Sequence, residues 1–226
     1  MPHGSLVVIT GLAAEARVAE GPGICAIATG ADPLRLEREL ERALRDGARA
    51  VLSFGIAAGL KGGHETGTIV IPDEVIAGSD RYATDPHWSE RMRVALTVAD
   101  ARPLAGVDAP LLHPADKVRL HESTGAVAAD MESHHAARIT LRAGRPFAAL
   151  RVIADPAQRT VPTAAAVGMR PDGRVNVVAV LFSLLRDPRQ LPALVRVALD
   201  ARAAIQTLAR CRDALGPKCG WQTVAG

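Results

Sequence analysis

The stretch Ala126–Ile139, AVAADMESHHAARI, holds the junction on which the fold reading turns. A run of small and β-branched residues stops at Asp130. Two carboxylates (Asp130, Glu132) and two adjacent imidazoles (His134, His135) fall within six residues. The preceding TGAVAAD (Thr124–Asp130) has the composition of a buried strand. ESHHAARITLRA (Glu132–Ala143) has helical spacing and is stopped by Gly144 and Pro146. Outward from this point the same strand-to-helix alternation recurs. LVVIT (Leu6–Thr10), ICAIAT (Ile24–Thr29), AVLSFG (Ala50–Gly55), TIVIPDEVIA (Thr68–Ala77) and FAALRVIAD (Phe147–Asp155) read as strands. Leu34–Leu44 and His87–Ala99 read as helices, the first opened by Asp32-Pro33 and closed by Gly47. IAAGLKGGHETG, after Gly55, reads as a glycine-rich loop. After Asp155 the pattern is loop, then mostly helix to about Leu215.

Alternation of this kind predicts an α/β protein: one domain, a central mixed, mostly parallel sheet and flanking helices in three layers. The domain is expected to span 1–215, with a helical extension over about 174–215 and a flexible tail at 216–226. The 226 residues are 48% hydrophobic and 23% charged, ordinary for a globular chain with a real core. A net charge of +3, with arginines spread among acids, and only 3% aromatic residues argue against a nucleic-acid surface. The longest apolar run, Val175–Leu185, is well short of the roughly 20 residues of a membrane span. The N-terminus lacks a basic region ahead of its apolar stretch, so no signal peptide is expected, and Cys25, Cys211 and Cys219 read as reduced thiols. A cytoplasmic protein is expected.

In open α/β sheets ligands bind beyond the carboxyl ends of the strands. Three acids fall there: Glu15, five residues past LVVIT; Glu132, after AVAAD; and Asp155, ending RVIAD. Each has an ordinary structural role to set against a functional one. Asp130 suits an N-cap, Glu132 a first helical turn, Asp155 a turn before Pro156, and Glu15 a solvated helix face. Their recurrence at equivalent strand ends is what favours a shared site. The two histidines, adjacent on a helix, should point about 100° apart and not chelate one metal together, so no metal site is expected.

TGLAAEARV (Thr10–Val18), SFGIAAGL (Ser53–Leu60), ADMESHHAAR (Ala129–Arg138) and RVIADPA (Arg151–Ala157) resemble, in order, the nucleoside phosphorylase and nucleosidase superfamily. GVDAP (Gly106–Pro110), DMES (Asp130–Ser133) and RPDG…LLRDPRQLPAL (Arg170–Leu194) resemble its hopanoid-associated branch, taken to cleave adenine from adenosylhopane. The resemblance implies cleavage of an N-glycosidic bond without metal or organic cofactor. It makes Asp155 the acid that protonates the departing purine at N7, Glu15 the water-activating base, and Glu132, with Met131 beside it, the group that holds the ribose. It also implies that Gly55, Ile56, Ala57 and Ala58 run along the nucleoside, with Leu111 and Pro110 against adenine. Family phosphorylases carry an arginine and a serine where this chain has Ser53 and Ile56. Phosphate as co-substrate would therefore need Gly11, Gly30, Arg17 or Arg35, and water is slightly favoured as nucleophile. Alternatives are a nucleosidase for methylthioadenosine, S-adenosylhomocysteine or futalosine, or a non-catalytic nucleoside-binding module. The resemblance also implies a homodimer or larger assembly. A lipid-linked substrate would bring the amphipathic segment Pro188–Leu215 into peripheral membrane contact at the inner face, with Trp88 and Phe182 as candidates for a hydrophobic mouth.

Overall fold

The computed structural model describes residues 6–30, 32–97, 100–162 and 187–222. The expected α/β domain is present, with nine strands among the described residues. In chain order the elements are β1 (Leu6–Thr10), α1 (Ala13–Ala19), β2 (Ile24–Ala28), α2 (Pro33–Arg45), β3 (Ala50–Gly59), β4 (Ile69–Val70), β5 (Glu74–Ala77) and β6 (Asp80–Ala83). There follow α3 (Pro86–Leu96), β7 (Leu104–Gly106), α4 (Pro114–Thr124), β8 (Ala128–Asp130), α5 (Ser133–Arg142), β9 (Phe147–Asp155) and, after a 3-10 turn at Pro188–Gln190, α6 (Leu191–Leu215). The sheet order is β2-β1-β3-β8-β7-β5-β6, with β9 pairing β3 and β4.

Strand alternation builds the three layers. Leu6 and Val8 face a core shared with Ala19 of α1, Trp88 and Met92 of α3, and Ala204 and Leu208 of α6. Val7 and Ile9 face the opposite core, closed by Leu36, Leu40 and Ala43 of α2 and Ala136, Ala137 and Ile139 of α5. The 36/40/43 spacing is the apolar stripe of an amphipathic helix. Asp32 starts that helix by accepting the Leu34 and Arg35 N–H groups (3.0 and 3.1 Å), with Pro33 in its first turn.

β3 organises the site. Its first half pairs in parallel with β1 as far as Ser53 and with β9 through most of its length. Its far end pairs with β8, which runs antiparallel (Ala58 with Ala129, Gly59 with Ala128). β1 and β8 therefore meet end to end along one edge of β3, carboxyl ends facing, with Phe54–Ala57 between them.

Several sequence expectations are corrected here. GIAAG, expected as loop, continues β3 to Gly59. Its alternation is masked by glycine and alanine, which suit a strand crowded on both faces. TIVIPDEVIA is split into β4 and β5 around Pro72, which has no N–H for a ladder. β8 is only Ala128–Asp130, because Thr124 still belongs to α4, a helix the sequence reading did not identify. Residues 216–222 are not a loose tail: Cys219 and Trp221 are buried, and the Trp88 indole N–H donates to the Cys219 carbonyl (2.8 Å). Trp88 is thus core rather than a mouth residue, while Phe182 and residues 174–186 lie outside the described residues.

Candidate active site

The edge of β3 left open between β1 and β8 is filled by a side chain. Glu15, in the first turn of α1, is buried; its Oε1 accepts the Ile56 N–H and its Oε2 the Leu12 N–H, both at 2.8 Å. The carboxylate thus replaces a neighbouring strand for one backbone donor. Burial pushes its pKa up, while the Arg151 guanidinium and the backbone donors pull it down.

Arg151, midway along β9, is wholly buried and was not singled out from the sequence. Its Nη2 donates to Ser53 Oγ (2.6 Å) and Ser133 Oγ (3.1 Å), makes an ion pair with Asp130, and lies 3.8 Å from Glu132 Oε2. An arginine within the otherwise apolar run FAALRVIAD was the available signal, since a charge in a doubly covered strand must be paired. Asp130 accepts the Ser133 N–H (3.1 Å) and hydroxyl (2.6 Å), so it both serves the start of α5 and anchors Arg151.

Glu132 occupies the N-cap position of α5 without capping it through its side chain. Its carboxylate instead lies over Gly11, where an added Cβ would stand 2.7 Å from Oε1. Only glycine leaves that room. Burial raises the Glu132 pKa to about 8; Arg151 opposes the rise, and Asp130 and Glu15 add to it. Glu15, Asp130 and Glu132 are thus crowded around a single guanidinium.

Asp155 closes β9 on the other side of the same cavity. Burial raises its pKa, and Lys117 and Arg159 oppose the rise. The cavity, about 320 Å³, is lined by Gly11, Leu12, Glu15, Ile56–Ala58, Val107, Pro110, Leu111, Ala129–Glu132, Ala154, Asp155, Val161, and Val197 and Ala201 of α6. The three acids named from the sequence therefore share one cavity, and Met131, Ile56, Ala57, Ala58 and Leu111 line it with them. Gly55 lies just behind the wall, against Glu15 and Arg151.

The anion-binding candidates are mostly placed elsewhere. Gly11 lines the cavity, but Gly30, Arg17 and Arg35 are not among its lining residues; Arg17 is exposed, and the Gly30 N–H donates to the Gly11 carbonyl (2.9 Å). Ser53, at the position of the family's phosphate-binding arginine, is wholly buried on Arg151 and Ser133. The histidine expectation is also corrected. At the start of α5 both Nε2 atoms reach Asp108 Oδ1, each at 3.2 Å, with ring centroids 3.8 Å apart. These three side chains could in principle hold a metal ion. Asp108, whose ionised carboxylate can only accept, takes the Nε2–H of an imidazole, and His134 Nδ1 is buried without a partner.

Residues 2–186 match the Phosphorylase superfamily, and the chain belongs to that family. It is a glycosyl bond-cleaving enzyme. The fold is that of the nucleosidases. Futalosine hydrolase of Helicobacter pylori (a mutant) superposes with a TM-score of 0.69 at 13% identity, covering 94% of this chain and 98% of that one. A point mutant of the H. pylori MTAN, with 5′-methylthioadenosine in its active site, gives 0.65 at 12%, covering 93% and 98%. S-adenosylhomocysteine nucleosidase of Streptococcus pyogenes, in complex with 5-methylthiotubericidin, gives 0.62 at 13%, covering 88% and 98%. No curated protein matches the sequence at a significant level.

Proposed function

We propose that the protein cleaves the N-glycosidic bond of an adenine nucleoside, adenosylhopane in the first instance, with water as nucleophile. The observation that carries this is the placement of Glu15, Glu132 and Asp155 around one cavity. Breaking the C1′–N9 bond leaves positive charge on the sugar and negative charge on the base. Glu132 holds the ribose diol, and the carboxyl groups gathered around Arg151 face the developing cation. Glu15, fixed by the Ile56 and Leu12 N–H groups, takes a proton from water, while Asp155, its pKa raised by burial, protonates the purine. These groups suffice without a metal or organic cofactor.

Water is favoured over phosphate because, among the described residues, four acids and no arginine or lysine line the cavity. The apolar part of the wall (Val107, Leu111, Val161, Val197, Ala201) suits an apolar 5′ substituent. Leu191, Val195 and Leu199 form an exposed stripe on α6, 51%, 50% and 61% accessible, which supports peripheral contact with the cytoplasmic membrane face. We propose that it assembles as a homodimer or larger, which light scattering would test: a monomeric mass overturns it. Structural likeness to the nucleosidases supports a second reading, turnover of 5′-methylthioadenosine, S-adenosylhomocysteine or futalosine.

The deciding assay is release of free base from each of these nucleosides and from adenosylhopane, with and without phosphate. Fastest turnover of adenosylhopane in phosphate-free buffer is expected, and an absolute phosphate requirement overturns the hydrolytic reading. Asp155→Asn should lose at least about a hundredfold; a binding module would show no turnover to lose. Anionic vesicles should sediment the native chain but not a Leu191→Gln/Val195→Gln/Leu199→Gln variant, and equal sedimentation rejects membrane contact.

A further inference from the structure

Lys117 is a wholly buried charged side chain that the reaction outlined above does not use. It projects from α4, and its Nζ has three acceptors: Asp155 Oδ2 at 2.6 Å, the Pro156 carbonyl at 3.1 Å and the Arg159 carbonyl at 3.0 Å. All three belong to the segment in which β9 ends and turns. Lys117 is not among the cavity-lining residues, whereas Asp155 is. The amine can therefore reach a bound nucleoside only through the Asp155 carboxyl.

We infer that Lys117 is the positioning residue that holds and resupplies the proton Asp155 delivers to the departing base. This rests on the assignment of Asp155 as the acid. An ammonium has three N–H donors and no acceptor; a neutral amine has two donors and one lone pair. Three partners serve both states. As an ammonium, Lys117 donates to the carboxylate and to both carbonyls. As an amine, it donates to the two carbonyls and accepts the Asp155 O–H. The proton can cross the 2.6 Å contact without leaving any group unpaired. Burial acts in the same direction, raising the carboxyl and lowering the amine. Arg159, the other cation acting on Asp155, is engaged with Asp200 of α6.

In the reaction, an Nζ–H bond breaks and a carboxyl O–H forms; that O–H breaks as N7–H forms. The C1′–N9 electron pair leaves with adenine, and the water oxygen bonds to C1′ while its proton goes to Glu15. The net transfer is one proton from Lys117 to Glu15, and both groups re-equilibrate with solvent when products leave.

The test compares two leaving groups on one sugar. Adenine must be protonated to leave; 4-nitrophenolate, from 4-nitrophenyl β-D-ribofuranoside, need not be. Lys117→Met should lower kcat for adenosine about a hundredfold and leave the nitrophenyl riboside nearly unchanged, which also shows that the variant folds. Lys117→Arg, which keeps the charge but cannot give up a proton, should stay as slow on adenosine as Lys117→Met. Rescue by arginine, or equal loss on both substrates, would reduce Lys117 to a structural charge and overturn the inference. Asp155→Asn separates the two levels. If it is inactive on adenosine while Lys117→Met is not impaired, the inference alone fails. If Asp155→Asn is as active as the native chain, or the native chain releases no free base from any of the nucleosides named above, the assignment of Asp155 fails and takes the inference with it.

Discussion

Replacing Gly55 by alanine adds one methyl group at the centre of the charged cluster. Its Cβ would lie 2.4 Å from Arg151 Nη1 and 2.8 Å from Glu15 Oε1, closer than real Cβ atoms approach. Restoring ordinary contact at 3.4 Å requires the guanidinium to move by about 1 Å. Neither side chain can swing into solvent: both are buried, Arg151 is fixed by Ser53, Ser133 and Asp130, and Glu15 by two backbone donors. Overpacking of this kind costs about 1–3 kcal/mol, or roughly 2–12 °C in Tm for a domain of this size. A displacement of about 1 Å in catalytic groups costs on the order of a hundredfold in rate. The assay is kcat/KM for nucleoside cleavage alongside differential scanning calorimetry, with Gly62→Ala as control, since nothing lies within 4 Å of a Cβ there. If Gly55→Ala matched Gly62→Ala in both measurements, Glu15 and Arg151 would not be held as tightly as described.

Two other perturbations probe separate parts of the molecule. The Glu132 pKa is raised from 4.5 to about 8 on folding, so its stabilising contribution is present below about 4.5 and lost as pH rises through 8. Glu132→Gln should therefore be more thermostable than the native chain at pH 8.5 and converge with it near pH 5, while losing activity at both; a pH-independent difference in Tm would refute the shift. Truncation after Leu215 removes the Cys219 carbonyl and Trp221, so Trp88 loses both its hydrogen-bond acceptor and part of its cover. The lost hydrogen bond (about 0.5–1.5 kcal/mol) and lost tryptophan burial (about 1.5–3 kcal/mol) should lower Tm by on the order of 10 °C, and an unchanged Tm would mean that this packing contributes nothing.

The strand-to-helix alternation was sufficient to set the fold class, because periodicity of apolar residues is a local property written in consecutive positions. The same local reading found Glu15, Glu132 and Asp155, since each stands just past an apolar run. It failed where local composition and environment diverge. GIAAG looks like loop because small residues carry no periodicity, yet they continue β3 because only small residues fit beside Arg151, Glu15 and Ile153. GPKCGWQ looks frayed, yet it packs on Trp88. Arg151 and Lys117 are ordinary basic residues by sequence. Only tertiary structure makes one the hub of three carboxylates and the other the buried partner of Asp155. Sequence thus determined the fold class, most of its strands and several of its helices, and which acids stand at their ends. The meeting of those acids depended on β8 running antiparallel to β3 and facing β1 across an unpaired stretch of strand, an arrangement of segments far apart along the chain that local pattern does not encode.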